Sequence, residues 1–274
     1  MLLFLQCVTA QEETVKSGVL NMARMWETPA RSMGGRCERW EWAWVADSRL
    51  VVRTLNRTTI VRRLDPSAGD ELIPHIMRFY SARPDGGDYL VEDPWASLDL
   101  ARYGFTRLWS LHFMVRSPEE APAVRTNLMI REARSRAEME RFVEALVEGF
   151  DMTAARRLPR AVILDERVLA DGALRCWIAL MNGRPVGTAA AYVSDGVVGV
   201  YWISVIPSMR RQGVGEALTW QATQADHAPA TLQATAMGRS LYERMGYKAV
   251  MTSATWIRTS RADIASTGAL RPSD

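Results

Sequence analysis

The sequence predicts an α/β protein built on a mixed sheet, and three observations predict it. Strands follow one another antiparallel from Arg175 to Val205 across short turns. A basic, glycine-containing loop then opens a helix at Glu216. A strand, short helix and strand near the C-terminus have a counterpart 142 residues earlier. At 274 residues the chain is long enough for two domains, and 48% hydrophobic against 24% charged residues suits a buried core.

The opening MLLFLQCVTA is apolar but too short for a membrane span and lacks the basic start of a signal peptide. Residues 1–24 are set apart as an N-terminal tail, and the opening reads as a disordered tail, a packed edge segment or an upstream start-codon artefact with Met22 or Met25 as the true beginning. In a first domain, 25–117, Trp40, Trp42 and Trp44 alternate with Glu41 and Ala43, which would put three indoles on one strand face. That face reads better as packed against helices than as a cage for a cationic amine. RLVVRTL (49–55) and TTIVRRL (58–64) read as strands, and Asp65-Pro66-Ser67 enters a helix reaching Ser81. Prolines and acids from Ser117 to Pro122 mark a linker.

A second domain, 127–260, opens with the alternating strand NLMIREA. Ser135 and Glu138 form a capping box for a helix whose apolar face is Met139, Phe142, Val143, Leu146 and Phe150. Residues 152–169 are expected to hold another short helix. RCWIALM, the Asn182-Gly183 turn, VGTAAAYV, the Ser194-Asp195-Gly196 turn and VVGVYWISV then make three antiparallel strands. After the loop come a helix over Glu216–Asp226, the strand ATLQATA, the short helix RSLYERM and one or two closing strands to Arg258. Residues 261–274 are read as a second tail.

Sliding the chain by 142 residues brings DYLVEDPWASLDLARYGFTRLWSLHFMVR onto ATLQATAMGRSLYERMGYKAVMTSATWIR without a gap. Gly104 meets Gly246, Phe105 meets Tyr247 and Arg116 meets Arg258. The shared order of elements reads as a diverged duplication.

The 34 basic residues nearly offset 31 acidic ones, so the net charge of +3 calls for no nucleic-acid partner. Cys7, Cys37 and Cys176 have no paired spacing and read as reduced thiols of a cytoplasmic protein. His75, His112 and His227 are too scattered to hold a metal, so no metal site is expected.

In Val205-Ile206-Pro207-Ser208-Met209-Arg210-Arg211-Gln212-Gly213-Val214-Gly215 a strand runs into a loop that starts a helix. Unpaired amides and the positive dipole end, close approach at two glycines and charge from two arginines suit a pyrophosphate. A Walker A loop is excluded because Glu216-Ala217 follows Gly215, and a dinucleotide fingerprint because Leu218 stands where its third glycine belongs.

Arg210-Arg211-Gln212-Gly213-Val214-Gly215 resembles the [QR]-x-x-G-x-[GA] signature of the GNAT acetyltransferases. MGRSLYERMGYKAV is similar to their second hallmark, a short helix with Tyr followed by Gly-aromatic. The resemblance covers Asn127 to about Arg258 and implies an acyl-CoA N-acyltransferase fold with acetyl-CoA as co-substrate. It implies that Arg210 supplies charge and that the amides of Arg211, Gln212, Gly213, Val214 and Gly215 cradle the pyrophosphate. It further implies that Val205 bonds the pantetheine arm through its backbone. A splay between the Ile203–Val205 strand and the Leu232–Ala234 strand would admit the thioester. Tyr242 would be the general acid for the departing thiolate. Tyr201 and Trp202 are better placed than the three N-terminal indoles to touch an acceptor.

The strand before the loop carries no carboxylate, unlike many relatives, and Glu144, Glu148, Asp165 and Glu166 are candidates by sequence proximity only. The N-terminal half resembles a degenerate copy: Ala68-Gly69-Asp70-Glu71-Leu72-Ile73 replaces the loop, and Leu100 replaces Tyr242. The expected protein is therefore a tandem of GNAT folds, the first degenerate. It would transfer acetyl to a primary amine of a small molecule or a protein, without nucleic-acid or membrane partners, and a homodimer is compatible with it. The alternatives are a non-catalytic acyl-CoA-binding pseudo-acetyltransferase, or transfer of another acyl group or to another acceptor.

Overall fold

A computed structural model describes residues 2–259, apart from 51, 84–86, 121, 123–125, 153, 154 and 157. The tail expected at 261–274 lies outside the described residues. Along the chain, helix α1 (Leu2–Ser32) is followed by strands β1 (Arg36–Arg39), β2 (Ala43–Asp47) and β3 (Asn56–Ile60). Helix α2 (Gly69–Ser81) precedes β4 (Tyr89–Asp93) and β5 (Thr106–Arg116). Next come β6 (Met129–Glu132), α3 (Arg136–Gly149), β7 (Leu174–Met181), β8 (Arg184–Ser194) and β9 (Val197–Val205). Helix α4 (Val214–Thr223), β10 (Ala230–Ala234), α5 (Ala236–Arg244) and β11 (Lys248–Arg258) close the described fold.

These elements sort into two compact units that alternate along the sequence. The loop unit comprises Met1–Asn21 and Val115–Leu232; the companion unit comprises Met22–Met114 and Gln233–Asp274. This division differs from contiguous domains at 25–117 and 127–260, because the final helix and strand sort with the first half of the chain. The physical reason is a ladder. β11 pairs antiparallel with β4 over five positions, Ala254↔Asp93 to Arg258↔Tyr89. The segment expected as a tail is also structured: Val19, Asn21, Met22 and Ala23 are buried on α1.

In the loop unit the strands lie in the order β10-β9-β8-β7-β6. β6 to β9 are antiparallel, and β10 joins β9 in parallel. The turns follow the residues that permit them: Asn182 and Gly183 take φ of 49° and 77°, and Asp195 and Gly196 take 54° and 74°. The capping box forms, with Ser135 Oγ accepting from the Glu138 amide and the Glu138 carboxylate accepting from the Arg134 amide at 2.9 Å. Met139, Phe142, Val143 and Leu146 of α3 are buried as their spacing requires. Among the described residues of 152–169, 3₁₀ turns lie at Arg160–Val162 and Glu166–Ala170.

In the companion unit the order is β1-β2-β3-β4-β11-β5. Its core gathers Ile60, Leu72, Ile76, Val91, Leu100 and Trp256 under α2. Two sequence expectations change here. Arg53–Leu55 is a 3₁₀ turn, not part of a strand. The three tryptophans also share no strand face, because β1 ends at Arg39 and β2 begins at Ala43. Trp40 packs edge-on to His75 and Phe79. Trp44 alone lies within a strand, with the guanidinium groups of Arg39 and Arg24 at 4.2 and 5.1 Å from its ring. The chain's own cations thus occupy the indole that a cage would need.

Candidate active site

The site in the loop unit is built where β9 leaves β10. Their parallel ladder spans Val198↔Ala230 and Gly199↔Thr231, whereas β9 itself continues to Val205. On its other side β9 bulges: Thr188 faces Ser204 while Ala190 faces Tyr201, so β9 spends one residue more than β8. Trp202 is the residue with φ of 50°, and Thr188 Oγ1 donates to its carbonyl at 2.7 Å. Such a bulge bends the strand and re-aims its amides, beside the half-buried Trp202 and Ile203. Trp202 rests edge-on against Phe142 of α3. Tyr201 points elsewhere, its hydroxyl donating to Asn21 Oδ1 at 2.7 Å.

Beyond Val205, Pro207–Met209 makes one 3₁₀ turn, and Gly213 caps α4 with φ of 78°. Arg211 also takes a positive φ, 61°. A Cβ on Gly213 would meet nothing within 4 Å, so the approach to the helix end is open. Helix α4 begins at Val214, two residues before the sequence reading placed it, and Ala217 is the amide that reaches back to Gly213 O. The amides of Val214, Gly215 and Glu216 therefore precede the first intrahelical bond and are available to a ligand. Gly187 lets this helix sit close: a Cβ there would lie 2.6 Å from Ser204 O and 2.8 Å from Leu218 Cδ1.

Arg210, Arg211, Gln212 and Gly213 are exposed, and Val214 is buried beneath them. Arg210 turns back: its Nη2 donates to Gly149 O at the end of α3 at 3.0 Å, and its Nε to Val205 O at 3.4 Å. Gln212 Nε2 donates to Ser208 O, closing the loop on itself. The side chain of Arg210 thus braces the loop, leaving Arg211 and the helix end as the more direct source of positive field.

Tyr242 belongs to α5 in the companion unit, half-buried and edge-on to Tyr247 at 6.1 Å. Thr235 caps that helix. Among the carboxylates near the loop in sequence, Glu144 and Glu148 are exposed on α3, and Asp165 is paired with Arg167 at 2.6 Å. Glu132 is held down to about 2, first by hydrogen bonds from Arg175, which leaves it a poor base. No group of His, Cys, Asp and Glu able to hold a metal occurs among the described residues. Nor is any described helix long and apolar enough to cross a membrane.

Sequence reasoning missed Asn21 and the bulge. The first was legible, since Val19, Met22, Trp26 and Ala30 recur at intervals of three and four. The bulge leaves no such pattern.

Residues 172–249 match the family model described as an acetyltransferase (GNAT) domain, a span running from before β7 into β11. No curated protein matches the chain. Among solved structures, a GCN5-related N-acetyltransferase from Kribbella flavida is similar at 19% identity and a TM-score of 0.61, over 89% of this chain and 97% of that one. One from Sphaerobacter thermophilus is similar at 15% identity and a TM-score of 0.52, over 80% and 76%. A functionally unknown protein from Staphylococcus epidermidis shares 13% identity at a TM-score of 0.59, over 81% and 93%. The match to a GNAT domain model thus lies in residues 172–249, and the mixed α/β fold matches GNAT structures over most of the chain's length.

Proposed function

We propose that this chain is an acetyl-CoA-dependent N-acetyltransferase in which a primary amine attacks the acetyl thioester directly. One observation carries the reading: inside the segment matching the GNAT model, β9 parts from β10, bulges at Trp202 and delivers the open, glycine-capped end of α4. The amides of Arg211 to Gly215 would take the pyrophosphate oxygens, with Arg211 adding charge and Arg210 bracing the loop. Backbone groups of Ile203 and Val205 would align the pantetheine arm. The amine lone pair attacks the thioester carbonyl carbon, and an amide of the bulged strand stabilises the oxyanion. The C–S bond breaks as the intermediate collapses. By likeness to the family's second motif, the leaving sulfur would take its proton from the Tyr242 hydroxyl, and the nitrogen releases its proton to water or a base. Holding both reactants in one cleft supplies the proximity term.

Residues 25–117, in this reading, are a degenerate tandem copy that binds no CoA. The test is calorimetry with acetyl-CoA joined to a CoA-release assay over metabolite amines, antibiotic amines, lysine peptides and peptide N-termini. One acetyl-CoA per chain, with CoA released only when an amine is present, is the expected result. Binding without release on any acceptor would shift the chain to a non-catalytic acyl-CoA-binding protein, a reading favoured by the lack of a carboxylate on β9. Absence of binding would sink both. Mass spectrometry of the products separates acetyl from longer acyl groups and nitrogen from oxygen acceptors.

A further inference from the structure

The vertex where β9 leaves β10 is held by a side chain from far away in sequence. Asn21, fully buried on α1, donates from Nδ2 to Tyr192 O at 2.8 Å and to Ser194 Oγ at 3.1 Å. Longer contacts run from the same nitrogen to Ser194 O and Val197 O. Its Oδ1 accepts from the Tyr201 hydroxyl at 2.7 Å. One amide thus ties together the β8–β9 turn and the strand beyond it. Gly199 makes room: a Cβ there would collide with both Asn21 Oδ1 and the Tyr201 hydroxyl. Gly199 is also the last residue of β9 in the ladder with β10, and Tyr201 directly precedes the bulged Trp202.

We infer that Asn21 and Tyr201 form a positioning clamp that fixes the mouth between β9 and β10 and the angle of the Trp202 bulge. The inference rests on the proposed acetyl transfer, since the clamp would act by aligning β9 amides with the thioester carbonyl. Neither residue touches substrate in this account. Burial raises the Tyr201 phenol well above its ordinary range, so it remains a donor at any working pH. The asparagine amide cannot titrate, so the clamp is not a pH switch. Displacement of reacting groups by about 1 Å costs on the order of a hundredfold in rate, so a small relaxation of β9 is enough to be measured.

The test uses Tyr201→Phe, which keeps the ring and loses one donor, and Asn21→Ser, a smaller polar residue, as a second variant. Two readouts are taken on the full chain: amide deuterium exchange of Trp202 to Val205, and steady-state transfer. Tyr201→Phe is expected to raise exchange of those amides several-fold. It should lower kcat about tenfold or more with the KM for acetyl-CoA nearly unchanged, because the α4 end is intact. Unchanged exchange and unchanged kcat in a folded Tyr201→Phe chain would overturn the clamp. So would a loss confined to KM. If Asn21→Ser fails to fold, Tyr201→Phe decides alone. If the wild-type chain transfers nothing to any amine, the proposed function fails, and the exchange readout alone still decides whether the clamp orders β9.

Discussion

Two strand–turn–helix passages, one in each unit, start alike and end in opposite chemistry. In the loop unit β9 outruns its ladder with β10 by six residues, from Gly199 to Val205, and α4 begins at an open glycine. In the companion unit β3 pairs with parallel β4 over Arg57↔Leu90, Thr58↔Val91 and Thr59↔Glu92 and ends one residue later, at Ile60. The helix that follows, α2, starts at a buried Gly69, whose Cβ would stand 3.2 Å from the Tyr103 hydroxyl. Asp70, in the first turn, accepts from that hydroxyl at 2.5 Å and from Arg102 at 2.8 Å. A carboxylate of the chain thus occupies the helix end that would favour an external anion. At the offset of 142 residues Leu100 matches Tyr242, and it is fully buried in the core where Tyr242 is half-buried. The contrast is thus an unpaired stretch and an open helix end at β9 and α4 against neither at β3 and α2.

The largest expected effect tests the Tyr242–Leu100 contrast. Tyr242→Phe keeps ring and volume and removes only the proton donor, so stability and acetyl-CoA affinity should hold. Turnover should fall by about two to four orders of magnitude with little change in KM for acetyl-CoA. Full activity with a confirmed acceptor would make Tyr242 a packing residue like Leu100, with water as the acid.

Next in size is a stability effect in the companion unit. Glu92 is fully buried, accepting from Thr255 Oγ1 and Gln233 Nε2 at 2.6 Å each, with Arg57 at 3.8 Å. Arg57 is itself buried and lies over the Trp26 ring at 4.1 Å. Glu92→Ala leaves that cation uncompensated, so it should cost about 3–5 kcal/mol in chemical denaturation. A cost under about 1 kcal/mol would mean that water already screens the cluster.

The two helix ends themselves come third. Gly213→Asp forces a side chain into a left-handed position and sets a negative charge at the α4 end, so acetyl-CoA affinity should drop about a hundredfold or more. Gly69→Asp crowds Tyr103 and lowers stability, but the remaining folded protein should bind acetyl-CoA as the parent does, one per chain. Two sites by calorimetry, or loss of binding from Gly69→Asp alone, would break the contrast.

How far the sequence discloses this arrangement depends on the kind of signal. The β7–β9 hairpins were legible because Asn182-Gly183 and Asp195-Gly196 supply the positive φ their turns need. The α3 cap was legible because Ser135 and Glu138 stand three apart. The α4 loop was legible because its glycines and arginines are local. β5 and β11 have bounds 142 residues apart, the offset at which the repeat is read. What escaped is non-local. Nothing near Lys248 announces that β11 pairs with β4. No periodicity marks one extra residue at Trp202, and Trp40 and Trp42 alternate like a strand while occupying a turn. The Tyr242 and loop assignments rest on motif and family likeness. No carboxylate stands on β9, and Glu144 and Glu148 lie on the exposed face of α3, so spacing singles out no base.

The smallest expected effect sets a half-buried carboxylate of the loop unit, paired with more exposed arginines, against fully buried Glu92. Glu132 on β6 takes two bonds from Arg175 of β7, at 2.9 and 3.1 Å, and a third from Arg134 at 2.9 Å. The pairing is bidentate, but Arg175 is 37% exposed and Arg134 79%, so water and salt share the charge. Glu132→Gln should therefore cost about 1 kcal/mol or less at neutral pH, against several for Glu92→Ala. The pH dependence has a definite sign. Hydrogen bonds from Arg175 hold the folded carboxyl down to about 2, below its unfolded value of about 4.3. Its stabilisation is thus complete above the unfolded value and disappears as pH falls from about 5 towards 2. The difference between parent and Glu132→Gln should be flat at neutral pH, shrink through that acid window, and shrink again in about 1 M salt. A difference that survives at pH 2 or ignores salt would mean that Glu132 acts by packing the β6–β7 edge, and the contrast with Glu92 would then be one of degree.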